Sequence, residues 1–220
     1  MNLKKSATIP TTGLIKQYER AFEQHGDSAA SVLWPRGRQD LRFEALTRHF
    51  QNSKFSLLDY GCGLCHLKEY LDKRFSNYEY IGADIVPGFT KTVQSKYPTS
   101  RARLVNSPFE LTEMVDHVVI SGVFNMVLDM KRDDYLNYVK QTIMHLFSIC
   151  RVSLSVNFMT DRVDFMQLDA HHVNVESMYI FIRDKLSPRL VLDQSYMPYE
   201  FNFVVYQDQY IDRTKNTYKE

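Results

Sequence analysis

Short apolar runs alternate with segments of helical periodicity along most of the chain. Five runs rich in Val, Ile, Leu, Tyr and Phe alternate with segments whose apolar residues recur three or four positions apart, and two further runs near the end are joined by a short loop. This pattern predicts an α/β protein with a mostly parallel seven-stranded sheet whose last strand is antiparallel. The predicted strands are residues 55–58, 80–84, 103–105, 117–120, 152–159, 189–192 and 201–205.

Two amphipathic helices precede the first predicted strand. One runs from Gly13 to a C-terminal cap at Gly26, and the other covers residues 37–51 with Leu41, Ala45 and Leu46 on one face. Trp34, the one tryptophan, lies in an irregular segment between them. We therefore expect one compact domain with three parts: a helical cap over residues 1–52, a core over 53–208 and a polar tail over 209–220.

Composition sets limits on the partners. Over 220 residues the hydrophobic fraction is 44%, the charged fraction is 24% and the net charge is +1, which is ordinary for a cytoplasmic globular protein and makes nucleic acid an improbable partner. No apolar run is long enough to span a membrane, and no apolar segment follows Lys4 and Lys5, so we expect no exported leader. The composition leaves the oligomeric state open.

The first strand leads into a glycine turn, Asp59-Tyr-Gly61-Cys-Gly63, and a helix follows from Leu64. A strand, a glycine turn and a helix form the cofactor crevice of open α/β sheets. The dinucleotide fingerprint of NAD enzymes fails here because His66 occupies its third glycine position. The order Cys62-Gly-Leu-Cys65-His66 also matches the haem-attachment motif, but that chemistry requires an oxidising compartment.

The acidic residue followed by Gly61 and Gly63 resembles the first motif of class I S-adenosylmethionine-dependent methyltransferases, with Cys65 at the usual third glycine. A second apolar run ends at Asp84, 25 residues after Asp59, where that family carries the acid that binds the cofactor's ribose hydroxyls. The resemblance implies a Rossmann-like fold and S-adenosyl-L-methionine as cofactor. It also places the cofactor beside Ile85, at the adenine loop with Asn106 and Ser107, and beside Ser121 after the fourth strand.

Two looser likenesses extend this family resemblance. Arg42 lies in a helix 17 residues before Asp59, and ubiquinone-biosynthesis O-methyltransferases have a Leu-Arg pair there whose arginine binds the cofactor carboxylate. A solvated helix charge is an equally good interpretation of Arg42. The segments 25–28 and 199–201 are similar to small bacterial methyltransferases whose substrates are unassigned. The Asp-Pro-Pro-Tyr-like motif of DNA adenine methyltransferases is absent after the fourth strand.

The acceptor site is expected beyond the strand ends, because ligands of open α/β sheets bind there. Phe124 and Asn125 follow the fourth strand, an irregular segment over 160–176 follows the fifth, and the residues expected at the acceptor are Trp34, Phe124, Asn125, Asp161 and Tyr199. His171 and His172 are predicted bases for a protonated nucleophile. The same segment could instead bind a divalent metal through Asp161, Asp164, His171 and His172, or be a polar surface loop.

Three classes of function are open at this stage. The first is a methyltransferase that acts on the oxygen or nitrogen of a small-molecule or glycan acceptor. The second is an oxidoreductase that uses NAD on a related sheet, and the third is a non-catalytic module that binds the cofactor. The intact Asp59, Gly61, Gly63 and Asp84 favour the first class.

Overall fold

The computed structural model describes residues 10–34, 38–98, 100–126 and 130–207. The predicted polar tail and residues 1–9 lie outside this part of the chain. The helices are α1 (Thr12–His25), α2 (Gln39–Thr47), α3 (His66–Asp72), α4 (Pro87–Lys96), α5 (Arg132–Ser148) and α6 (Val175–Lys185). The strands are β1 (Phe55–Tyr60), β2 (Tyr78–Asp84), β3 (Arg101–Leu104), β4 (Val115–Ile120), β5 (Cys150–Thr160), β6 (His172–Val173), β7 (Leu190–Asp193) and β8 (Glu200–Tyr206).

The sheet has the predicted topology. Its order is β3-β2-β1-β4-β5-β8-β7, and β1 to β5 pair in parallel. The last strand, β8, lies antiparallel between β5 and β7. The two-residue strand β6 is an addition, because it pairs with the end of β5 inside the segment expected to be irregular.

The second helix differs from its predicted extent and face. It covers Gln39–Thr47, and Leu41 points outward with 46% of its surface exposed, whereas Arg42 and Phe43 are buried. The sequence places Leu41, Ala45 and Leu46 on one helical face, but the inward face of α2 is centred on Phe43 and Leu46. Arg42 is therefore buried beside Phe43 and Leu46.

Helices cover both faces of the sheet, which explains why its central strands are apolar throughout. Side chains of α5 and α6, including Ile143 and Ile182, pack on one face. Side chains of α2, α3 and α4, including Leu46 and Leu71, pack on the other. No helix in the described part of the chain is long and apolar enough to cross a membrane.

The first helix lies across the carboxyl ends of the strands. Its Tyr18 and Phe22 rings contact Phe89 of α4 edge-on, with ring centroids 5.9 and 5.6 Å apart. A short 3-10 turn, Ala29–Val32, then brings Val32 against Gly63. The N-terminal segment therefore covers the edge at which an open α/β sheet binds its ligands.

Candidate cofactor and acceptor site

A cavity of about 610 Å³ opens at the carboxyl ends of β1, β2 and β4. Its floor is formed by the residues that end these strands, and α1 and Trp34 form part of its cover. Small-molecule sites commonly have volumes of ~300–1,000 Å³. The size and position are those of a ligand site in an open α/β fold.

The glycine turn after β1 requires glycine at two positions. Gly61 and Gly63 have φ angles of 76° and 53°, in the left-handed region. A Cβ atom on Gly61 would lie 2.2 Å from Cγ2 of Val123, and one on Gly63 would lie 2.9 Å from Cγ1 of Val32. The backbone of the turn thus packs closely against Val123 and Val32. Because the two glycines have no side chains, the backbone itself borders the cavity.

Asp84, at the end of β2, is fixed beside this turn. Its buried carboxylate accepts hydrogen bonds from the N–H groups of Gly63 and Val86, both at 2.8 Å. Burial raises the pKa of Asp84, and these backbone donors oppose that rise. The arrangement holds an acceptor of hydrogen bonds against the glycine turn, where both line the cavity.

Cys65 occupies the position of the family's third glycine and adopts a glycine-like backbone. Its φ is 62°, and its side chain has no exposed surface. The thiols of Cys62 and Cys65 lie 2.8 and 3.3 Å from the point that a Cβ on Gly82 would occupy. Both thiols thus face Gly82 of β2, and Cys65 is fully buried.

Asp59 is a buried acid at the end of β1. The hydroxyl of Tyr80 donates a hydrogen bond of 2.6 Å to its Oδ2 atom. Burial raises the pKa of Asp59 to about 7, the charge of Asp84 adds to the rise, and the Tyr80 hydrogen bond opposes it. Asp59 consequently changes its charge near neutral pH.

Arg42 enters the cavity wall as one member of a buried ion pair. Its Nε atom donates to Oε2 of Glu200 at 2.9 Å and its Nη2 atom contacts the other carboxylate oxygen. Asn157 donates to the same carboxylate at 2.9 Å, and its own oxygen accepts the N–H of Gly122 at 2.7 Å. The Trp34 ring covers the guanidinium at 3.9 Å.

Aromatic and apolar side chains surround the rest of the cavity. The Phe124 ring is 1% exposed and stacks on Phe158 at 6.1 Å. The hydroxyls of Tyr60 and Tyr138 lie 3.4 Å apart. Other residues of this part of the wall are Leu14, Tyr18, Asn125, Met126, Tyr135, Met159, Phe165, Met197 and Tyr199.

The two predicted bases are buried and hydrogen-bonded to backbone. Nδ1 of His172 lies 2.7 Å from the Thr160 carbonyl, to which it donates, and its Nε2 accepts the N–H of Gln167 at 3.2 Å. His171 donates from Nδ1 to the Phe124 carbonyl at 3.1 Å and lies behind the cavity wall. Burial lowers the pKa of His171, which favours its neutral form.

Most of the predicted site residues meet in this cavity. Arg42, Asp59, Gly61, Gly63, Asp84, Ile85, Asn106 and Ser121 line it, together with Trp34, Phe124, Asn125, Tyr199 and His172. Ser107 instead caps the short turn at Pro108–Glu110, and Asp161 accepts a hydrogen bond from Asn174. Within the described ranges, no cluster of three or more His, Cys, Asp and Glu side chains is arranged to hold a metal ion.

The sequence interpretation predicted Tyr199 but missed four other tyrosines of the wall, Tyr18, Tyr60, Tyr135 and Tyr138, and also Glu200. Leu14 and Tyr18 are four residues apart on α1, a helical spacing that signals a shared face. Glu200 begins the apolar strand β8, where a buried acid implies a partner. Neither signal identifies which residue or ligand the side chain contacts.

The chain is similar to known methyltransferases in the segment that forms this site. Residues 58–142 match the family model described as a methyltransferase domain. This segment contains the glycine turn, Asp84 and the residues after β4. The Mycobacterium tuberculosis protein named "Putative methyltransferase Rv1506c" is 24% identical over 153 residues, which are 69% of this chain and 92% of that protein.

Solved structures share the fold at low sequence identity. The magnesium protoporphyrin IX methyltransferase of Synechocystis with bound SAH is 14% identical, with a TM-score of 0.63 over 90% of this chain and 95% of that one. The DhpI–SAH complex is 12% identical, with a TM-score of 0.64 over 91% and 97% of the two chains. The chain therefore has the fold of these S-adenosylmethionine-dependent methyltransferases, and the family model matches the segment that contains the glycine turn.

Proposed function

We propose that the chain binds S-adenosylmethionine in the 610 Å³ cavity and transfers its methyl group to an oxygen or nitrogen atom of a small-molecule acceptor. The observation that carries the proposal is the buried Asp84 carboxylate held against the Gly61–Gly63 turn. A carboxylate in this place is suited to accept hydrogen bonds from two neighbouring hydroxyls. The narrow turn lets a ligand approach the backbone closely.

The residues present fit this cofactor. In the bound state it supplies a methyl group on a positively charged sulfur, which is an electrophile. Arg42 uses Nε and Nη2 for Glu200, and its Nη1 atom lies beside Gly122, 2.8 Å from where a Cβ would be. Nη1 is therefore the part of the guanidinium that is suited to meet the cofactor's carboxylate.

The chain's task in methyl transfer is to align the reactants and to keep water out. When bound, S-adenosylmethionine would supply the methyl group and its sulfur would keep the electron pair of the carbon–sulfur bond. The lone pair of the acceptor oxygen or nitrogen would form the new bond, and the acceptor's proton would pass to solvent as the product leaves the cavity. Residues of α1 and Trp34 line the cavity and would restrict the access of water to the reacting groups.

In this proposal His171 and His172 position the wall and do not exchange protons with the acceptor. Both nitrogens of His172 are engaged by backbone groups, and His171 lies behind Phe124. A base role for His172 would require its bond with the Gln167 N–H to open. Alignment alone is sufficient for an acceptor atom that carries no proton to be removed before the transfer.

Calorimetry tests the proposal directly. The wild-type protein is titrated with S-adenosylmethionine, its demethylated product and NADH. We expect micromolar binding of the first two, and a loss of ~1–3 kcal/mol in the Asp84→Ala variant, because a buried charged acceptor is removed. Glu79→Gln, on the exposed side of β2, is the matched control and should bind normally. Tight NADH binding without S-adenosylmethionine binding would reject the assignment.

A further inference from the structure

Asn125 lines the cavity and carries a buried side-chain oxygen without a hydrogen-bond partner among the described residues. The residue is 9% exposed, and the unpaired oxygen is its Oδ1 atom. Its backbone is firmly held, since its carbonyl accepts the His171 N–H at 2.8 Å. A buried amide oxygen without a partner is costly, and a ligand that pairs with it removes that cost. Rotation of the amide lets it offer either its oxygen or its nitrogen.

The wall around Asn125 is apolar and rich in rings. Phe124 precedes it, and Tyr135 lies at the same wall, with its ring centroid 4.6 Å from that of His171. Met126 and Met159 contribute flexible, polarisable side chains. Rings and methionines of this kind favour a flat apolar ligand body, because stacking and sulfur–aromatic contacts add to the burial of apolar surface.

The loop after β5 forms an acidic and apolar part of the outer wall, while Arg38 lines the cavity at the start of α2. Asp164 and Asp169 line it, and Asp164 accepts a hydrogen bond from the Tyr199 hydroxyl at 3.2 Å. Phe165, in the same loop, is 73% exposed. Carboxylates at the rim repel an anionic ligand, while the exposed ring extends the apolar surface outward.

We infer that the methyl acceptor is a ring compound without an acidic group, whose hydroxyl or amino group pairs with the Asn125 amide. The inference rests on the proposed function, since it names the substrate class of the same cavity. It distinguishes the acceptor from sugar phosphates, carboxylated rings and glycans. It also identifies Asn125 as the residue that selects for the hydrogen-bonding group.

The test uses three matched probes on the protein saturated with S-adenosylhomocysteine. Para-cresol has the ring and the hydroxyl, toluene lacks the hydroxyl, and para-hydroxybenzoate replaces the methyl group by a carboxylate. Saturation-transfer NMR titrations give the three affinities, and methyl glucoside is the glycan probe. Calorimetry with S-adenosylhomocysteine is done first, so that failure of the cofactor site is recognised separately.

We expect para-cresol to bind about fivefold more tightly than toluene, the ratio that one net hydrogen bond gives. Asn125→Leu should abolish this ratio, and Asn52→Leu, at an exposed loop position before β1, should preserve it. Para-hydroxybenzoate should bind more weakly than para-cresol. Replacing Asp164 and Asp169 by Asn should raise the affinity for para-hydroxybenzoate roughly threefold for each charge removed. Asp184→Asn, on the exposed side of α6, is the control.

Four results would overturn the inference while the cofactor site stands. One is an affinity for para-hydroxybenzoate equal to or above that for para-cresol. The second is a cresol-to-toluene ratio that survives Asn125→Leu, and the third is tighter binding of methyl glucoside than of any ring probe. The fourth is no binding of any probe to a protein that binds S-adenosylhomocysteine normally.

Discussion

Arg42 and Glu200, 158 residues apart in the chain, form a buried ion pair in the wall of the cavity. The side chains of both residues are 5% exposed. The pair joins α2 to the start of β8, and Asn157 connects it to β5 and to the loop after β4. Four separate segments of the site are therefore held by one group of polar contacts.

Removing one member of this pair should strongly destabilise the folded protein. Glu200→Gln leaves the Arg42 charge buried without compensation, and we expect a loss of ~3–5 kcal/mol in the free energy of unfolding. The double change Arg42→Met with Glu200→Leu should be less damaging than the sum of the single changes. Urea denaturation of the wild type, Arg42→Met, Glu200→Leu and the double variant gives the coupling energy, and Glu200→Gln is measured beside them.

The Arg48–Asp193 pair supplies the matched control for that experiment. It also joins the end of α2 to the last part of the sheet, with 2.9 Å between Nη2 and Oδ2, but the Arg48 side chain is 47% exposed. Asp193→Asn should cost only ~0–1 kcal/mol, because solvent reaches the Arg48 end of the pair and the amide oxygen can still accept the Ser195 N–H. Equal losses in Glu200→Gln and Asp193→Asn would contradict the role given to burial.

Cys65 supports a prediction about backbone strain. Its φ of 62° favours glycine, and a residue with a Cβ pays ~1 kcal/mol or more for it. Cys65→Gly and Cys65→Ala both remove the thiol, so the comparison isolates the backbone term. We expect the glycine variant to be the more stable of the two by ~1 kcal/mol in chemical denaturation.

Cys150 gives the opposite order and so serves as the control. It is equally buried but begins β5, where the backbone is extended. Cys150→Gly should there be less stable than Cys150→Ala, since glycine weakens a strand. The same order at both positions would show that sulfur packing, and not the left-handed backbone, decides the effect at Cys65.

Asp59 should make the stability of the ligand-free protein fall as the pH rises. Its pKa is about 7 in the folded protein against 3.8 as the ordinary value. Between about pH 4 and 7 the folded state binds the extra proton, so the free energy of unfolding decreases by ~1.4 kcal/mol per pH unit from this group. Asp59→Asn removes the effect, and its stability relative to the wild type should rise across this range in denaturation curves at pH 5, 6 and 7.

Asp116 is the control of opposite sign. Burial opposes ionisation of Asp116, but hydrogen bonds from Ser56 and the Arg151 charge outweigh it and lower the pKa below 3.8. Its contribution is complete above pH 4 and is lost only on further acidification. The difference between Asp116→Asn and wild type should therefore stay constant from pH 5 to 7. A flat profile for Asp59→Asn as well would show that Asp59 is ionised throughout.

Local sequence pattern accounts for most of the fold. The apolar run over 117–120 identifies a buried strand, and β4 indeed extends to Val115–Ile120 with nearly all its side chains buried. The turn around Gly61 is equally local, because strand, glycine and helix signals adjoin in the sequence. The strand β6 was not predicted, because a two-residue strand is too short to show an alternation of apolar and polar positions.

The ion-pair partners and the pKa values in the site depend on residues that are distant in the sequence. The Arg42 side chain could be interpreted as exposed or as cofactor-binding, and its actual partner lies at Glu200 in the last strand. The raised pKa of Asp59 depends on Tyr80 and Asp84, which only the paired strands bring together. Predicting such contacts requires the register of the sheet, which a single sequence does not fix.

His172 should hold the loop between β5 and β6 in place. Its ring joins the Thr160 carbonyl to the Gln167 N–H, the two sides of that loop. His172→Ala removes both bonds, and we expect faster trypsin cleavage after Arg162, whose side chain is 75% exposed, with nearly unchanged affinity for S-adenosylmethionine. His172→Asn keeps a donor for Thr160 and should restore part of the protection. His25→Ala, on α1, is the control.

The alternative for His172 is that it removes a proton from the acceptor. A base would leave a different signature: wild-type cleavage after Arg162 in His172→Ala, normal cofactor affinity, and a large loss of turnover. His172→Asn would then fail to restore activity, since its amide cannot accept the proton at neutral pH. The protection and turnover measurements on the same three proteins therefore separate a positioning residue from a base.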